Sequence, residues 1–315
     1  MNAAVVALGG GHGLASSLMA LRMVTDQITA IVTVADDGGS SGRLRADRGL
    51  LPPGDLRMAL SALTEDPVVA ELFQHRFAGT DDLAGHPVGN LILAGLFELA
   101  LDPVAALARA AHLAYVPHTV LPMAVTPIEI LANVAGLDQG DLDQLTVVRG
   151  QHNVATTAGT VRDVWIEPAD APACPQAVAA VGAADVIVLG PGSLYTSVLV
   201  HMLVPELRIA VERSRAARIL VLNLDSDADE TRGMTARSHL EAIAAHAPAL
   251  RLDVVIADTS RVLDTHDLIE AARVLGAEVV FAELADTELP GRHDPKRLAA
   301  ALSEALTTLA RSTRA

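Results

Sequence analysis

The sequence predicts an α/β protein with a doubly wound, Rossmann-like parallel sheet. Its three layers run α/β/α, and a partly helical insertion interrupts the middle of the chain. Three observations carry this prediction. The chain opens as strand, glycine turn, helix and strand over residues 3–34. The same alternation returns from residue 186 to the C-terminus. The length of 315 residues, 51% apolar, suits one large α/β unit.

Each element has its own warrant. Residues 3–8 form a short apolar run closed by glycines, the pattern of a strand buried on both faces. Residues 14–24 set Leu14, Leu18, Leu21 and Met23 or Val24 on one helical side. A second strand follows at 28–34. Residues 35–55 carry five glycines, two serines, three arginines and four aspartates, too long and glycine-rich for an ordinary connection. Segments 56–77 and 87–112 are rich in alanine and leucine without strand alternation, and read as helices. Strands are expected at 116–125, 146–149 and 161–167. The α/β rhythm then resumes, with strands at 186–189, 219–224, 252–257 and 278–281. Helices are expected at 193–203, 236–246, 263–275 and 295–311. With no repeat and no low-complexity linker, residues 1–315 read as one domain, with residues of about 56–160 as an embedded subdomain. That apolar helical insertion is the candidate surface for a homodimer, although no periodic seam marks it.

Composition narrows the function. Lysine and arginine total 23 against 38 acidic residues, a net charge of −15, which disfavours a nucleic-acid partner. Aromatic residues make up only 2%, too few for base-stacking platforms. Of the basic residues 22 are arginine, and Lys296 is the single lysine, so no Gly-Lys-Ser/Thr phosphate loop exists. Cys174 is the single cysteine, which excludes an intrachain disulfide and a thiolate zinc site. The start of the chain lacks a basic leader segment and runs directly into the first strand. No uncharged apolar run reaches the roughly 20 residues of a membrane helix. The expectation is a cytoplasmic protein without membrane insertion.

Five motifs could carry chemistry. Gly9-Gly10-Gly11-His12-Gly13-Leu14 sits between strand and helix, where glycines let a phosphate approach the backbone and helix N–H groups. Leu14 stands where a dinucleotide G-x-G-x-x-G turn would need glycine. Asp36 closes the second strand, where an acidic residue could hold a ribose hydroxyl. The adjacent Asp36 and Asp37 could instead hold Mg²⁺. Residues 38–42 could form an anion-binding nest with Arg43 as its charged partner. In Pro53-Gly54-Asp55-Leu56-Arg57, Asp55 can cap a helix, and Arg57 in its first turn is easier to understand if it faces an anion. His86 precedes a helix begun by Pro87, with Asn90 one turn in. Gly190-Pro191-Gly192-Ser193 is a second phosphate cradle in the second half of the sheet, followed by Tyr195, Thr196 and Ser197. Weaker candidates are Gln151-His152-Asn153, the stretch from Asp229 to Gly233, and Arg292-His293-Asp294. For these, capping or surface solvation serves equally well.

Taken in order, GGGHGL, ADDGGSSGRLR, LPPGDLR, HPVGNL, GPGSLYTSV, VPEL, DETRGMT and the late HDP cover nearly the whole chain. This series resembles the YvcK/CofD-like family. The alanine- and arginine-rich composition is similar to that of actinobacterial members. The blocks match best the YvcK branch, the gluconeogenesis factors, for which no catalytic activity is established. That resemblance implies binding of a UDP-sugar, typically UDP-N-acetylglucosamine. It also implies a role, through an unidentified protein partner, in cell shape and cell-wall growth on gluconeogenic carbon sources. The other branch contains the 2-phospho-L-lactate transferases. They join a phospholactyl group from a nucleotide donor to a deazaflavin acceptor with Mg²⁺.

Carried over residue by residue, the resemblance puts nucleotide and phosphate contacts on Gly10, Gly11, His12 and Gly13, and on Gly190, Gly192, Ser193 and Thr196. Asp36, Asp37, Ser40, Arg43 and Asn90 would line the cleft. Asp55, Arg57, His86, Asn153 and Arg292 are further cleft candidates. The chain departs from the pattern in three places. Many members have threonine where it has His12. Residues 225–231 replace a more usual proline-glycine version. An asparagine and an arginine-tyrosine pair common after the late strand are not evident around 257–265. A dinucleotide oxidoreductase is the weakest reading, since the glycine pattern is wrong and no acid/base pair is placed for hydride chemistry. Scarce aromatics also favour a UDP-sugar over a deazaflavin ring.

Overall fold

The computed structural model describes residues 3–100, 102–224, 229–289 and 291–312. Strand β1 (Ala4–Gly9) leads into helix α1 (Gly11–Leu21) and β2 (Gln27–Val32). Five helices follow: α2 (Gly39–Arg48), α3 (Pro53–Leu63), α4 (Pro67–Gln74), α5 (Val88–Leu99) and α6 (Pro103–Leu113). Next come β3 (Thr119–Pro122), β4 (Glu129–Ala135), β5 (Thr146–Arg149), α7 (Gln151–Ala155), β6 (Thr160–Glu167) and α8 (Pro175–Ala183). Strand β7 (Val186–Leu189) runs into a π-helical turn (Leu194–Leu199) continued by α9 (Val200–Leu203) and α10 (Pro205–Arg213). The chain finishes with β8 (Ala217–Val221), α11 (Ala236–His246), β9 (Val254–Asp258), α12 (Thr265–Val274), β10 (Glu278–Ala282) and α13 (Pro295–Ser312).

Seven strands make one sheet in the order β10-β9-β8-β7-β1-β2-β3, with every neighbouring pair parallel. Its central strands read as unbroken apolar runs because both faces are covered. Helices α1, α3 and α13 pack together, as do α8 with α10 and α11 with α12. Val6, Ile31, Val188 and Ile256 lie within the resulting core. The predicted Rossmann-like sheet is therefore present.

Residues 56–160 are shared between layers. Strand β3 pairs with β2 as the edge of the main sheet, and α3 packs on α1. A separate antiparallel sheet, β5-β4-β6, packs through α7 and β6 against the helices that follow β7.

The glycine-rich stretch at 35–55, too long for an ordinary connection, contains a ten-residue helix, α2. Its propensity is poor, so tertiary contacts and its end groups hold it. Gly49 ends it in the left-handed region at φ 65°, and Arg45 and Arg48 lie in the last turn, where they complement the helix dipole. Strand β4 has no counterpart among the strands expected from the sequence. It is the middle strand of the small sheet, and its buried face supplies no clean alternation. Among the described residues no single helix is long and apolar enough to cross a membrane.

Candidate functional site

The strand order reverses between β1 and β7, and ligands of open α/β sheets bind outside the strand ends at such a switch point. Each of these two strands ends in one of the glycine turns. Gly10 caps α1 in extended conformation, and its carbonyl accepts the Leu14 N–H at 3.1 Å. A Cβ on Gly10 would stand 2.5 Å from Asp55 Oδ2 and from Thr33 Cγ2. A Cβ on Gly13 would collide with the Pro191 carbonyl, so the two turns touch through their backbones. These close approaches are why glycine stands at 10 and 13.

A cavity of about 290 Å³ opens over this contact. The first turn contributes Gly10, Gly11, His12 and Gly13 to its lining, and the second Gly192 and Ser193. Arg292 and His293 close another side. The first-turn N–H groups of α1 have no intrahelical partners and carry the positive end of its dipole. His12 is held below the ordinary histidine range by burial in the cleft and by the charges of Arg292, Arg57 and Arg76. This wall therefore attracts anions. Burial depresses His293 to about 4, so it stays neutral.

The second turn is arranged differently. Glu230 is 3% exposed, and its carboxylate accepts the Tyr195 N–H at 3.1 Å and the Thr196 hydroxyl at 3.2 Å. The backbone N–H groups of Leu194 and Thr196 also point to it. A side-chain anion thus occupies the helix N-terminus expected to cradle a phosphate. Burial pushes Glu230 up to about 7 against those bonds. Thr196 is fully buried and engaged with Glu230, away from the cavity. Gly190 lies behind the turn, bonded to the Leu8 carbonyl at 3.0 Å.

The acidic segment splits its work. Asp36 Oδ1 accepts the Gly38 N–H at 3.0 Å, whereas Asp37 Oδ1 accepts the His152 N–H at 2.9 Å, in the first turn of α7. A Mg²⁺ ion is commonly held by one or two carboxylates together with substrate phosphates. Here Asp36 and Asp37 serve different backbone segments through one oxygen each. Among the described residues no group of three or more His, Cys, Asp or Glu side chains gathers as a metal site. The carboxylate that Asp36 does influence is Asp55, which burial and the Asp36 charge raise to about 7 while Gly11 N–H bonds to it. Arg43 is exposed and donates to the Ala84 carbonyl at 2.9 Å. Asn153 is likewise exposed and bonds the Arg149 carbonyl at 2.8 Å.

Behind the first turn runs a buried polar chain. His86 Nδ1 and Ser40 Oγ are 2.7 Å apart, and Asn90 Nδ2 donates to Ser40 Oγ at 2.9 Å. Arg57 Nε donates to Asn90 Oδ1 at 3.0 Å, and Arg57 Nη1 to Gln74. Burial and the Arg76 charge lower Arg57 to about 10, against the pull of Asp55 and Asp36. Ser40, Asn90, Arg57 and His86 therefore form one network supporting the cleft, with none of them among the cavity's lining residues.

The structure also brings in Ser16 and Asn223, which no motif singled out, beside the weaker candidates Ser197 and Gln151. Ser16 on α1, Ser197 after the second turn and Asn223 beyond β8 line the cavity, as does Gln151 at the start of α7. Asn223 follows the C-terminal end of a parallel strand, the position where the switch-point rule places ligand contacts. Part of the unusual 225–231 stretch, residues 225–228, lies outside the described residues.

Comparison with known proteins agrees with this architecture. The family model described as 2-phospho-L-lactate transferase CofD matches residues 5–291. A Mycobacterium tuberculosis relative of the gluconeogenesis-factor group is 49% identical over 309 residues, covering 96% of this chain and 90% of the relative. The gluconeogenesis factor of Bacillus subtilis is 32% identical over 317 residues, covering 96% and 98%. A crystal structure of a Bacillus halodurans protein superposes with a TM-score of 0.85 at 33% identity, over 96% of this chain and 100% of the other. The chain belongs to the CofD family, within its gluconeogenesis-factor branch.

Proposed function

We propose that this protein is a nucleotide-sugar-binding regulator whose ligand is of the UDP-N-acetylglucosamine type. Its diphosphate sits at the α1 N-terminus against Arg292, in the cavity between the two glycine turns. The observation that carries this reading is the chemistry of the lining: N–H groups and Arg292 on one side, Ser16, Ser193, Ser197, Gln151 and Asn223 around it. Such a surface matches phosphates and sugar hydroxyls. No phenylalanine, tyrosine or tryptophan is among the described lining residues, which gives a deazaflavin ring less to stack on. We place this regulator in the cytoplasm, acting through a protein partner on cell shape and cell-wall growth on gluconeogenic carbon; the relatives' description as gluconeogenesis factors supports the link to gluconeogenesis.

The family description supports the alternative, phospholactyl transfer to a deazaflavin acceptor. Calorimetric titration separates the two. Saturable binding of UDP-N-acetylglucosamine, with no response to the acceptor, is the expected result. Binding of GDP and the acceptor, followed by phospholactyl transfer, would replace the regulator with a transferase.

A further inference from the structure

We infer that the site takes up its diphosphate ligand together with a proton, and that His12 carries that proton. The inference rests on the proposed anionic ligand and concerns how this particular cleft regulates its binding.

Positive charge surrounds the imidazole. His12 lies in the first turn of α1, where the helix dipole is positive, and lines the cavity with Arg292. Arg57 comes from α3, Arg76 from the segment after α4, and Arg292 from the segment before α13; all three charges act on His12. Two carboxylates also lie on this side, Asp55 bonded to the Gly11 N–H and raised to about 7, and Asp36 bonded to the Gly38 N–H. The other lining side chains, Gln151, Ser16, Ser193, Ser197 and Asn223, are uncharged, and neighbouring His293 is neutral. The charges acting on His12 in the empty cleft are those of the three arginines, so a protonated imidazole is repelled there.

A bound diphosphate reverses that field. It brings two negative charges to the same wall, opposite in sign to the arginines. The imidazolium then becomes the favoured form and donates to a phosphate oxygen as a charge-assisted bond. A threonine at this position would donate equally well but could not change charge. Histidine thus ties occupancy of the site to pH.

Nucleotide sugars suit the test because both phosphates are diesterified and keep one charge each across the neutral range. Any proton taken up then belongs to the protein. UDP-N-acetylglucosamine is titrated at pH 7 in buffers of different ionisation enthalpy, with ADP-ribose as a second diesterified diphosphate. The wild type should take up a fraction of a proton, up to about one per ligand, and lose roughly tenfold in affinity between pH 6 and 8. His12→Thr should bind with no uptake and a flat pH profile. The His12 ring signal in NMR should show the imidazole becoming more basic in the complex.

Each outcome decides something. Binding without uptake overturns the proton inference and leaves the nucleotide-sugar reading standing. Uptake that survives in His12→Thr assigns the proton to another group, Asp55 and then Glu230 first among them, and also overturns it. Uptake with ADP-ribose but no binding of UDP-N-acetylglucosamine keeps the inference and removes the sugar assignment. Failure of both ligands to bind removes both.

Discussion

Glu230 and Thr196 are joined inside the second glycine turn, hydroxyl to carboxylate at 3.2 Å, so the chain plugs its own anion cradle. The cost shows in the carboxyl's affinity for protons. An exposed glutamate ionises near pH 4.5, whereas Glu230 does so at about 7. Between those values the folded chain holds a proton that the unfolded chain has released. Stability from this group is therefore full at low pH and declines as pH rises through the window.

Glu230→Gln removes the ionisation and keeps an acceptor for the Tyr195 N–H. Its unfolding midpoint relative to wild type should improve steadily from pH 5 to 8. The gain is on the order of 2 kcal/mol across that range. Urea titrations at several pH values measure it. A constant offset between the two proteins would show that Glu230 ionises freely in the fold.

That plug marks a limit of sequence reading. The strands, the doubly wound sheet and the glycine turn after β1 are legible because buried parallel strands and phosphate-type turns have local signatures. Glu230 carries no such mark of the second turn, since 35 residues separate it from Tyr195 and only tertiary folding joins them. Ser40, Asn90 and Arg57 read as ligand contacts for the same reason. Their residue types suit a ligand, but packing turns them toward one another. Helix α2 is illegible because its glycines and serines are poor helix formers held in place by neighbours. Asn223 is legible on one ground, its place just beyond the C-terminal end of a parallel strand.

Gly13→Ala should be among the most damaging single changes in the site. The added Cβ would meet the Pro191 carbonyl and the Gly192 nitrogen, and backbone cannot rotate away as a side chain can. Separating the two turns should cost about 3 kcal/mol or more and remove ligand binding. Gly95→Ala is the matched control, because a Cβ there meets nothing within 4 Å. Equal melting temperatures for the two variants would contradict the backbone contact between the turns.

Arg57 is 3% exposed and links Asn90 to Gln74. Arg57→Ala would leave the buried Asn90 amide without its donor and open a void, a loss of about 3 kcal/mol. Arg57→Lys keeps the charge but cannot reproduce the fork that serves both partners, so it should recover only part of that stability. Full recovery by lysine, measured by denaturant unfolding, would mean that charge alone accounts for the role of Arg57.

Asp37 and Arg43 lie six positions apart in one motif, yet the structure gives them unequal consequences. Asp37 accepts an N–H in the first turn of α7, the helix that brings Gln151 to the cavity. Asp37→Ala should weaken that turn by about 1 kcal/mol and lower ligand affinity several-fold by releasing Gln151. Asp37→Asn, which retains an acceptor oxygen, should stay close to wild type. Arg43 reaches outward to the Ala84 carbonyl, so Arg43→Ala should bind ligand as the native chain does. Titration of the three variants tests the geometry directly. A large affinity loss in Arg43→Ala, with Asp37→Ala unaffected, would place the ligand over the 38–43 segment and away from the α1 N-terminus.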